Sequence, residues 1–294
     1  MFPKLKEWYE TKYRMQLLFT IILVVLALVQ IGVQYSVTGD FVHRGVSLKG
    51  GSTITINSPS VPADLESFLH DKFPQADLGL RTLTSAGKVV GIAIDADTQD
   101  SGEIDTLIKA IKEKMPLDKA QYSIEIIGSS LGESFFRQTL TALAVAFVLM
   151  GIVVFIYFRS IAPSMAVIAA ALSDMIVTLA VFNLTGLKLS TAGVAAFLML
   201  IGYSVDTDIL LSTRVLKRTD GTVNERVYSS IKTGLTMSAT TLAAVIVALI
   251  FVQSDVIRQI MFILLIGLLV DPIMTWIQNV AILRIYLEKK HGRH

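Results

Sequence analysis

Apolar residues along this chain group on two scales. Six long apolar segments lie near 16–36, 138–158, 162–183, 191–213, 234–253 and 259–283. Each approaches the roughly 20 residues that a helix needs to cross a bilayer core. Pro163 opens the third, where a proline costs little. The sixth contains Asp271-Pro272, which predicts a kink or break there. Between the first two segments, residues 37–137 carry only short apolar runs and are too long to lack a fold of their own. GVSLKGGSTITIN predicts a strand with glycines at its start. PADLESFLHDKF predicts a helix, with Leu65, Phe68, Leu69 and Phe73 at helical spacing. ADLGLRTLTS and KVVGIAIDA predict strands flanking a Ser85-Ala86-Gly87 turn. SGEIDTLIKAIKEKM predicts a second helix, capped by Ser101 and apolar along Ile104, Leu107, Ile108 and Ile111. AQYSIEIIG predicts a last strand, and SSLGESFFRQ a helical lead into the second long segment.

The pattern gives a fold class: a polytopic α-helical membrane protein with six transmembrane helices. An α+β ferredoxin-like (βαββαβ) domain sits between helices 1 and 2. Composition agrees, at 53% hydrophobic and 17% charged residues. Basic residues orient it. Lys4, Lys6, Lys12 and Arg14 precede the first helix. Arg159 lies between helices 2 and 3. Arg214, Lys217, Arg218, Arg226 and Lys232 follow helix 4, and Arg284, Lys289, Lys290 and Arg293 end the chain. The short loops of the other side offer only Lys188 and Arg258. Both termini are therefore expected in the cytoplasm of a cell whose cytoplasmic (inner) membrane holds the chain, with the first helix retained. The expected organisation is 1–15 cytoplasmic arm, 16–36 helix 1, 37–137 extracytoplasmic domain, 138–283 helices 2–6 and 284–294 cytoplasmic tail. Cysteine is absent, which excludes disulfides, thiolate metal sites and Cys nucleophiles.

One stretch carries unusual chemistry. LIGYSVDTDILLSTRVLKR (200–218) places Asp206 and Asp208 inside a membrane-length apolar run. An ionised Asp at mid-bilayer costs about 2.5–3.5 kcal/mol even on the insertion scale, so such a residue faces a bundle interior or a partner. Two residues turn a helix by about 200°, so the two acids point to nearly opposite faces and form no close dyad. Asp206 is the favoured functional acid. Thr233, Thr236 and Thr240 form a hydroxyl stripe on the fifth helix, with Lys232 at its cytoplasmic end. Asp174 and Asp271 lie in the third and sixth helices. A polar path through helices 3 to 6, with Asp206, Asp208, Lys232 and Asp174 as proton or ion relay candidates, is the expectation. Hydroxyls that only tie helices together are the plainer reading of the threonines. For Lys232 that reading is snorkelling to headgroups.

These residues resemble a known family. Gly202, Val205, Asp206, Ile209, Leu210 and Arg214 fall where the SecD/SecF protein-export membrane proteins carry their fourth-helix motif. Tyr203, Ser204 and Thr207 complete that stretch. VSLKGGSTI, with Lys49, Gly50 and Gly51, resembles the Gly-Gly strand that opens the family's first extracytoplasmic domain. IYFRSIAPSMAVIAAALSDMIVTLAVFNLTGLKLS and SATTL (238–242) resemble its second-to-third and fifth helices. The resemblance covers nearly the whole chain, and one modest domain after the first helix favours the SecF branch in its archaeal form. It implies membership of the resistance-nodulation-division superfamily and a non-enzymatic role in protein export. It also implies a SecD-like partner, a SecY-type translocation channel, exported polypeptides as cargo, and an ion gradient read by a membrane Asp and an Arg. Asp206-Thr207 stands where many bacterial SecF chains have Asn-Asp, and Lys232-Thr233 stands near the family's fifth-helix Arg.

Other classes fit less well. A secondary transporter half for small molecules or lipids shares the superfamily but would need a second half. A non-coupled assembly scaffold shares the fold. An intramembrane aspartyl protease would place its Asp after Gly-x-Gly, whereas Ser204 precedes Val205-Asp206. Gly50-Gly51 lacks the Lys-Ser/Thr of a P-loop. His43, His70, His291 and His294 are scattered, so no metal or cofactor is implied. The domain is not basic, so no nucleic-acid surface is indicated.

Overall fold

The computed structural model describes residues 3–58, 60–62, 64–85, 88–115, 121–218, 220–252 and 254–291. The expected Ser85-Ala86-Gly87 turn falls largely outside them, as do Arg293 and His294.

An N-terminal helix, α1 (Pro3–Thr11), bends at Lys12 into the first membrane helix, α2 (Tyr13–Thr38). Five more long helices follow the domain: α6 (Ser129–Phe158), α7 (Ile161–Leu184), α8 (Thr191–Lys217), α9 (Val223–Phe251) and α10 (Asp255–Ile273). The last continues through a π-helical segment, Met274–Asn279, into α11 (Val280–His291). Among the described residues, six helices are thus long and apolar enough to cross a membrane. The kink or break expected at Asp271-Pro272 takes the form of a widened turn. Pro272 offers no N–H to the carbonyl one turn earlier, and the π segment begins two residues later.

The domain runs from a single helical turn, α3 (Val46–Lys49), into β1 (Gly51–Ile56), then α4 (Leu65–Lys72), β2 (Gly79–Ser85), β3 (Lys88–Ala96), α5 (Ser101–Lys114) and β4 (Tyr122–Ile127). The sheet order is β2-β3-β1-β4 and every pairing is antiparallel. This is the split βαββαβ arrangement: β3 fills the gap that the first crossover leaves between β1 and β2. Ile54 lies opposite both Ile94 and Ile124. Period-two alternation then sends Ile54, Ile56, Ile92 and Ile94 to one face, where Leu65, Leu69, Ile104, Leu107 and Ile111 cover them. The α5 cap is Asp100, not Ser101. Its side chain accepts from the amides of Gly102 and Glu103, while Ser101 is already helical.

Strand β1 starts after a backbone crossing that only glycine permits. Gly50 and Gly51 have φ of +89° and +135°. A Cβ on Gly50 would stand 2.5 Å from the Ser129 Cα, and one on Gly132 would stand 2.5 Å from the Gly50 nitrogen. The domain entry is therefore pressed against the first turns of α6. The GVSLK segment expected as strand is α3, because the chain must turn before it can enter the sheet.

The domain is also fastened to the helix bundle. Gly45 N donates to Leu189 O (2.8 Å) and Leu189 N to His43 O (2.6 Å), so the α7–α8 loop pairs with the domain's stalk. Lys188 Nζ reaches Asp77 Oδ1 at 2.7 Å, with Lys49 Nζ 3.9 Å from the same carboxylate. Arg81 holds Asp95 through two hydrogen bonds, and its other nitrogen lies 3.5 Å from Asp255 at the start of α10.

Candidate functional site

The chemistry expected on α8 divides by helix face. Asp208 is fully buried, whereas Asp206 is exposed on the outer surface of the bundle. Gly202 and Tyr203 share that outer strip: a Cβ on Gly202 would meet nothing within 4 Å, and Tyr203 is exposed. Val205 packs with Val154, Phe158, Val167 and Ala171 between α6 and α7. Asp206, the acid favoured by the sequence, thus lies outside the bundle interior, and Asp208 lies within it.

Three helices supply the interior site. Asp174 from α7, Asp208 from α8 and Asp271 from α10 are all buried, and no ion pair of the described residues involves them. Their partners are neutral. Ser204 Oγ donates to Asp174 Oδ2. Thr207 Oγ1 lies 3.2 and 3.3 Å from the two Asp271 oxygens and 3.4 Å from Thr275 Oγ1. Thr275 Oγ1 donates to Asp271 Oδ1 at 3.1 Å. Asn279 Nδ2 donates to Asp208 Oδ1 at 2.7 Å. Gln278 Nε2 donates to Ser173 Oγ at the margin (3.0 Å).

The local sequence explains the convergence. Asp271, Thr275 and Asn279 recur every fourth residue, which aligns them along one stripe of the helix. Ser204 and Asp208 repeat the spacing on α8, and Thr207 lies beside them. The π turn widens the backbone where Thr275, Gln278 and Asn279 project, the kind of irregularity often found at functional sites. Tyr9 reaches this turn from α1, donating its hydroxyl to the Trp276 carbonyl at 2.6 Å. Burial holds the Tyr9 phenol above its ordinary range, against the opposing pull of Arg284, so it serves as a neutral donor. Arg284 Nη1 in turn binds the Tyr9 carbonyl at 2.7 Å.

The remaining candidates lie elsewhere. Lys232 is exposed and forms no ion pair with Asp206. Thr233, Thr236 and Thr240 donate to carbonyls of their own helix, Ser229, Lys232 and Met237. The expected polar path therefore runs through α7, α8 and α10 and leaves out α9, because the threonine stripe turns away from the acids. Arg214 ties α8 to α9 by donating to the Ser229 carbonyl (2.7 Å) and hydroxyl (2.8 Å). Lys49, Gly50 and Gly51 serve the domain junction. Asp271 stood out in the sequence mainly as a helix-breaking pair with Pro272, and the partners Thr275 and Asn279 were missed. Their four-residue spacing inside an apolar run was the available signal.

Fold and site together define a polytopic membrane protein of six helices with a ferredoxin-like domain after the first and a carboxylate cluster in its bundle. Residues 106–289 match the family model "Protein export membrane protein SecD/SecF, C-terminal". The chain belongs to the SecD/SecF family. It is 39% identical to the protein-export membrane protein SecF of Pyrococcus furiosus, over 99% of this chain and 96% of that one. It is 36% identical to SecF of Methanocaldococcus jannaschii, over 96% and 98% of the two chains. Its fold matches the crystal structure of SecDF, a translocon-associated membrane protein from Thermus thermophilus, with a TM-score of 0.72 and 20% identity. That match covers 94% of this chain and 38% of the longer SecDF chain.

Proposed function

We propose that this chain is a SecF-type accessory subunit of protein export, acting with a SecD-like partner beside a SecY-type channel to promote translocation of exported polypeptides. Near-full-length similarity to archaeal SecF proteins carries this reading. Charge supports the orientation proposed: Arg159, Arg214, Lys217 and Arg226 sit on the face opposite the domain, in keeping with both termini in the cytoplasm and the domain outside. Asp206, Gly202 and Tyr203 form an outer strip that suits the SecD-like subunit, because a carboxylate facing lipid alone would be costly.

Ion-gradient coupling is the finer part of the proposal. Burying three acids without a base requires a proton or cation among them, and a change in that occupancy shifts helix packing. The domain, continuous with α6 and fastened to the α7–α8 loop, would follow such a shift. The test is export of a secreted reporter in cells whose only copy carries Asp208→Asn, Asp271→Asn or Asp206→Asn, with expression and partner retention measured. Lost export with the complex intact is expected for the interior pair, and lost partner retention for Asp206→Asn. Normal export from all three variants would leave the chain as a non-coupled scaffold.

A further inference from the structure

Helices α6 and α7 meet closely at one end and part at the other. Away from the domain, a Cβ on Gly151 of α6 would lie 3.4 Å from Ile168 Cδ1 of α7. Val154 and Phe158 extend that contact against Val167 and Ala171. Towards the domain, the two helices leave a crevice of about 130 Å³. Leu140 and Leu143 of α6 wall it on one side, Leu172, Met175 and Leu179 of α7 on the other, and Phe197 of α8 lies beneath. Phe41 and Phe136, with ring centres 5.7 Å apart, close its domain-side end. Leu172 is exposed and marks the mouth. Both helices are of membrane-crossing length and hydropathy, so this mouth opens into hydrocarbon.

The lining decides what can fill the crevice. Its open surface is entirely apolar. Thr139 adds no bond, because its hydroxyl donates to the Phe135 carbonyl of its own helix at 2.6 Å. Water has no partner in such a space, and an apolar cavity of about 150 Å³ stays dry and takes up apolar guests. Left empty, the walls would forfeit dispersion contacts. A helix of the partner subunit is the other apolar filler, and the outer strip of α8 argues against it. Asp206 follows Phe197 by nine residues, a turn of about 180°. The strip assigned to the SecD-like subunit therefore faces away from the crevice. A cation stands over the closed end. The Arg44 guanidinium lies 4.8 Å from the Phe136 ring centre. Its Nε and Nη2 hold Asp40 at 3.0 and 2.7 Å, which leaves Nη1 for a further acceptor. Hydrocarbon walls below and a guanidinium above match the two parts of a phospholipid, its chain and its phosphate.

We propose that the crevice between α6 and α7 binds one hydrocarbon chain of a membrane phospholipid from the leaflet on the domain side, with the lipid phosphate at Arg44. The proposal rests on the export reading only where it assigns the outer strip of α8 to the partner. The experiment reconstitutes the full chain, alone and with its SecD-like partner, into vesicles of palmitoyl-oleoyl phosphatidylglycerol. These carry a trace of the same lipid with a diazirine in one chain, and cross-links formed on irradiation are located by peptide mass spectrometry. Labels are expected to concentrate on Leu143, Met175 and Leu179, which are half-buried, over Leu149, Val153 and Ile156, which face out from α6 and are more exposed. Leu172→Trp fills the mouth and should lower labelling inside the crevice about fivefold while leaving Leu149 and Val153 unchanged. Arg44→Gln should lower it about twofold. Labelling that simply follows exposure overturns the site, as does labelling unchanged in a folded Leu172→Trp chain. Labelling of the crevice that disappears when the partner is present overturns the lipid in favour of a partner helix. Labelling unchanged by Arg44→Gln overturns the phosphate assignment. If Leu172→Trp does not fold, Leu172→Phe and the distribution of labels on the unsubstituted chain decide. Failure of the export reading would remove the arm with the partner and leave the labelling of the isolated chain as it stands.

Discussion

The membrane helices α7, α8 and the α10–α11 unit bury 56% of their most apolar stretch within the chain, whereas α2, α6 and α9 bury 17%, 6% and 17%. The two sets treat polar residues differently. On the outer helices, Thr139, Thr141, Thr236 and Thr240 satisfy their hydroxyls on carbonyls of their own helix. A lipid-facing helix has no other partner to offer, and an unpaired group in hydrocarbon costs several kcal/mol. On the inner helices, polar atoms reach across: α8 to α7 through Ser204–Asp174, and α8 to α10 and its π turn through Thr207–Asp271 and Asp208–Asn279. The inner set can hold carboxylates because three helices share the task of surrounding them. Helix α8 belongs to both environments, with Asp208 on its inner face and Asp206 on its outer one.

The sharpest way to break this division is to substitute on both sides of it. Asn279→Leu removes the donor to buried Asp208 and should destabilise the bundle by about 3 kcal/mol, the scale for stripping a partner from a buried charge. Asp206→Asn, in the purified chain without its partner, should change stability by no more than about 0.5 kcal/mol, as exposed substitutions do. Thermal unfolding of both variants in one detergent checks the contrast. Equal shifts would mean that inner and outer faces of α8 are not distinct.

That contrast also marks how far the sequence could be read. Long apolar runs and the period-two pattern of GSTITI and KVVGIAIDA locate the helices and the sheet, since each depends on local spacing. Helical geometry alone sets Asp206 and Asp208 on opposite faces. Which face is inside is decided by neighbours tens or hundreds of residues away. Asp271 contacts α8 across 64 positions and Asn279 contacts it across 71. Lys232 and the α9 threonines have the composition of relay residues, yet α9 rotates them away from the acids. The π turn is similarly hidden, because Pro272 announces a disturbance without saying whether the helix breaks or widens.

A second test probes the contact where outer and inner helices meet most closely. A Cβ on Gly234 of α9 would fall 2.2 Å from the Trp276 ring, whose backbone lies in the π turn. Trp276 is buried and its carbonyl is held by Tyr9, so the ring has little freedom to move away. Gly234→Val should cost about 1–3 kcal/mol through overpacking. It should also weaken the Tyr9–Trp276 contact, read as increased exchange at α1 amides. A neutral Gly234→Val would show that α9 can drift from the inner set without disturbing it, and that the outer helices are more loosely attached than their packing indicates.

The smallest effect concerns the junction between the bundle and its domain. Asp77 is half exposed and meets Lys188 at 2.7 Å and Lys49 at 3.9 Å. Partial burial pushes its pKa up, but the two lysines and His43 together outweigh this and hold the carboxyl below its ordinary range. A depressed carboxylate pKa gives a contribution that is complete above the unfolded value near 3.9 and lost as pH falls through the lowered one. At half exposure that contribution is less than about 1 kcal/mol. It is readable where the α7–α8 loop pairs with the stalk, at the Gly45 and Leu189 amides. Their exchange protection, corrected for intrinsic rates, should fall as pH drops from about 5 to about 3. Lys188→Ala should lower protection already at pH 5 and flatten the fall. Protection that is independent of pH in the unsubstituted chain would assign the junction to its backbone pairing and the Gly50–Gly132 crossing, and the lysine–aspartate contact would then be a passive surface pair.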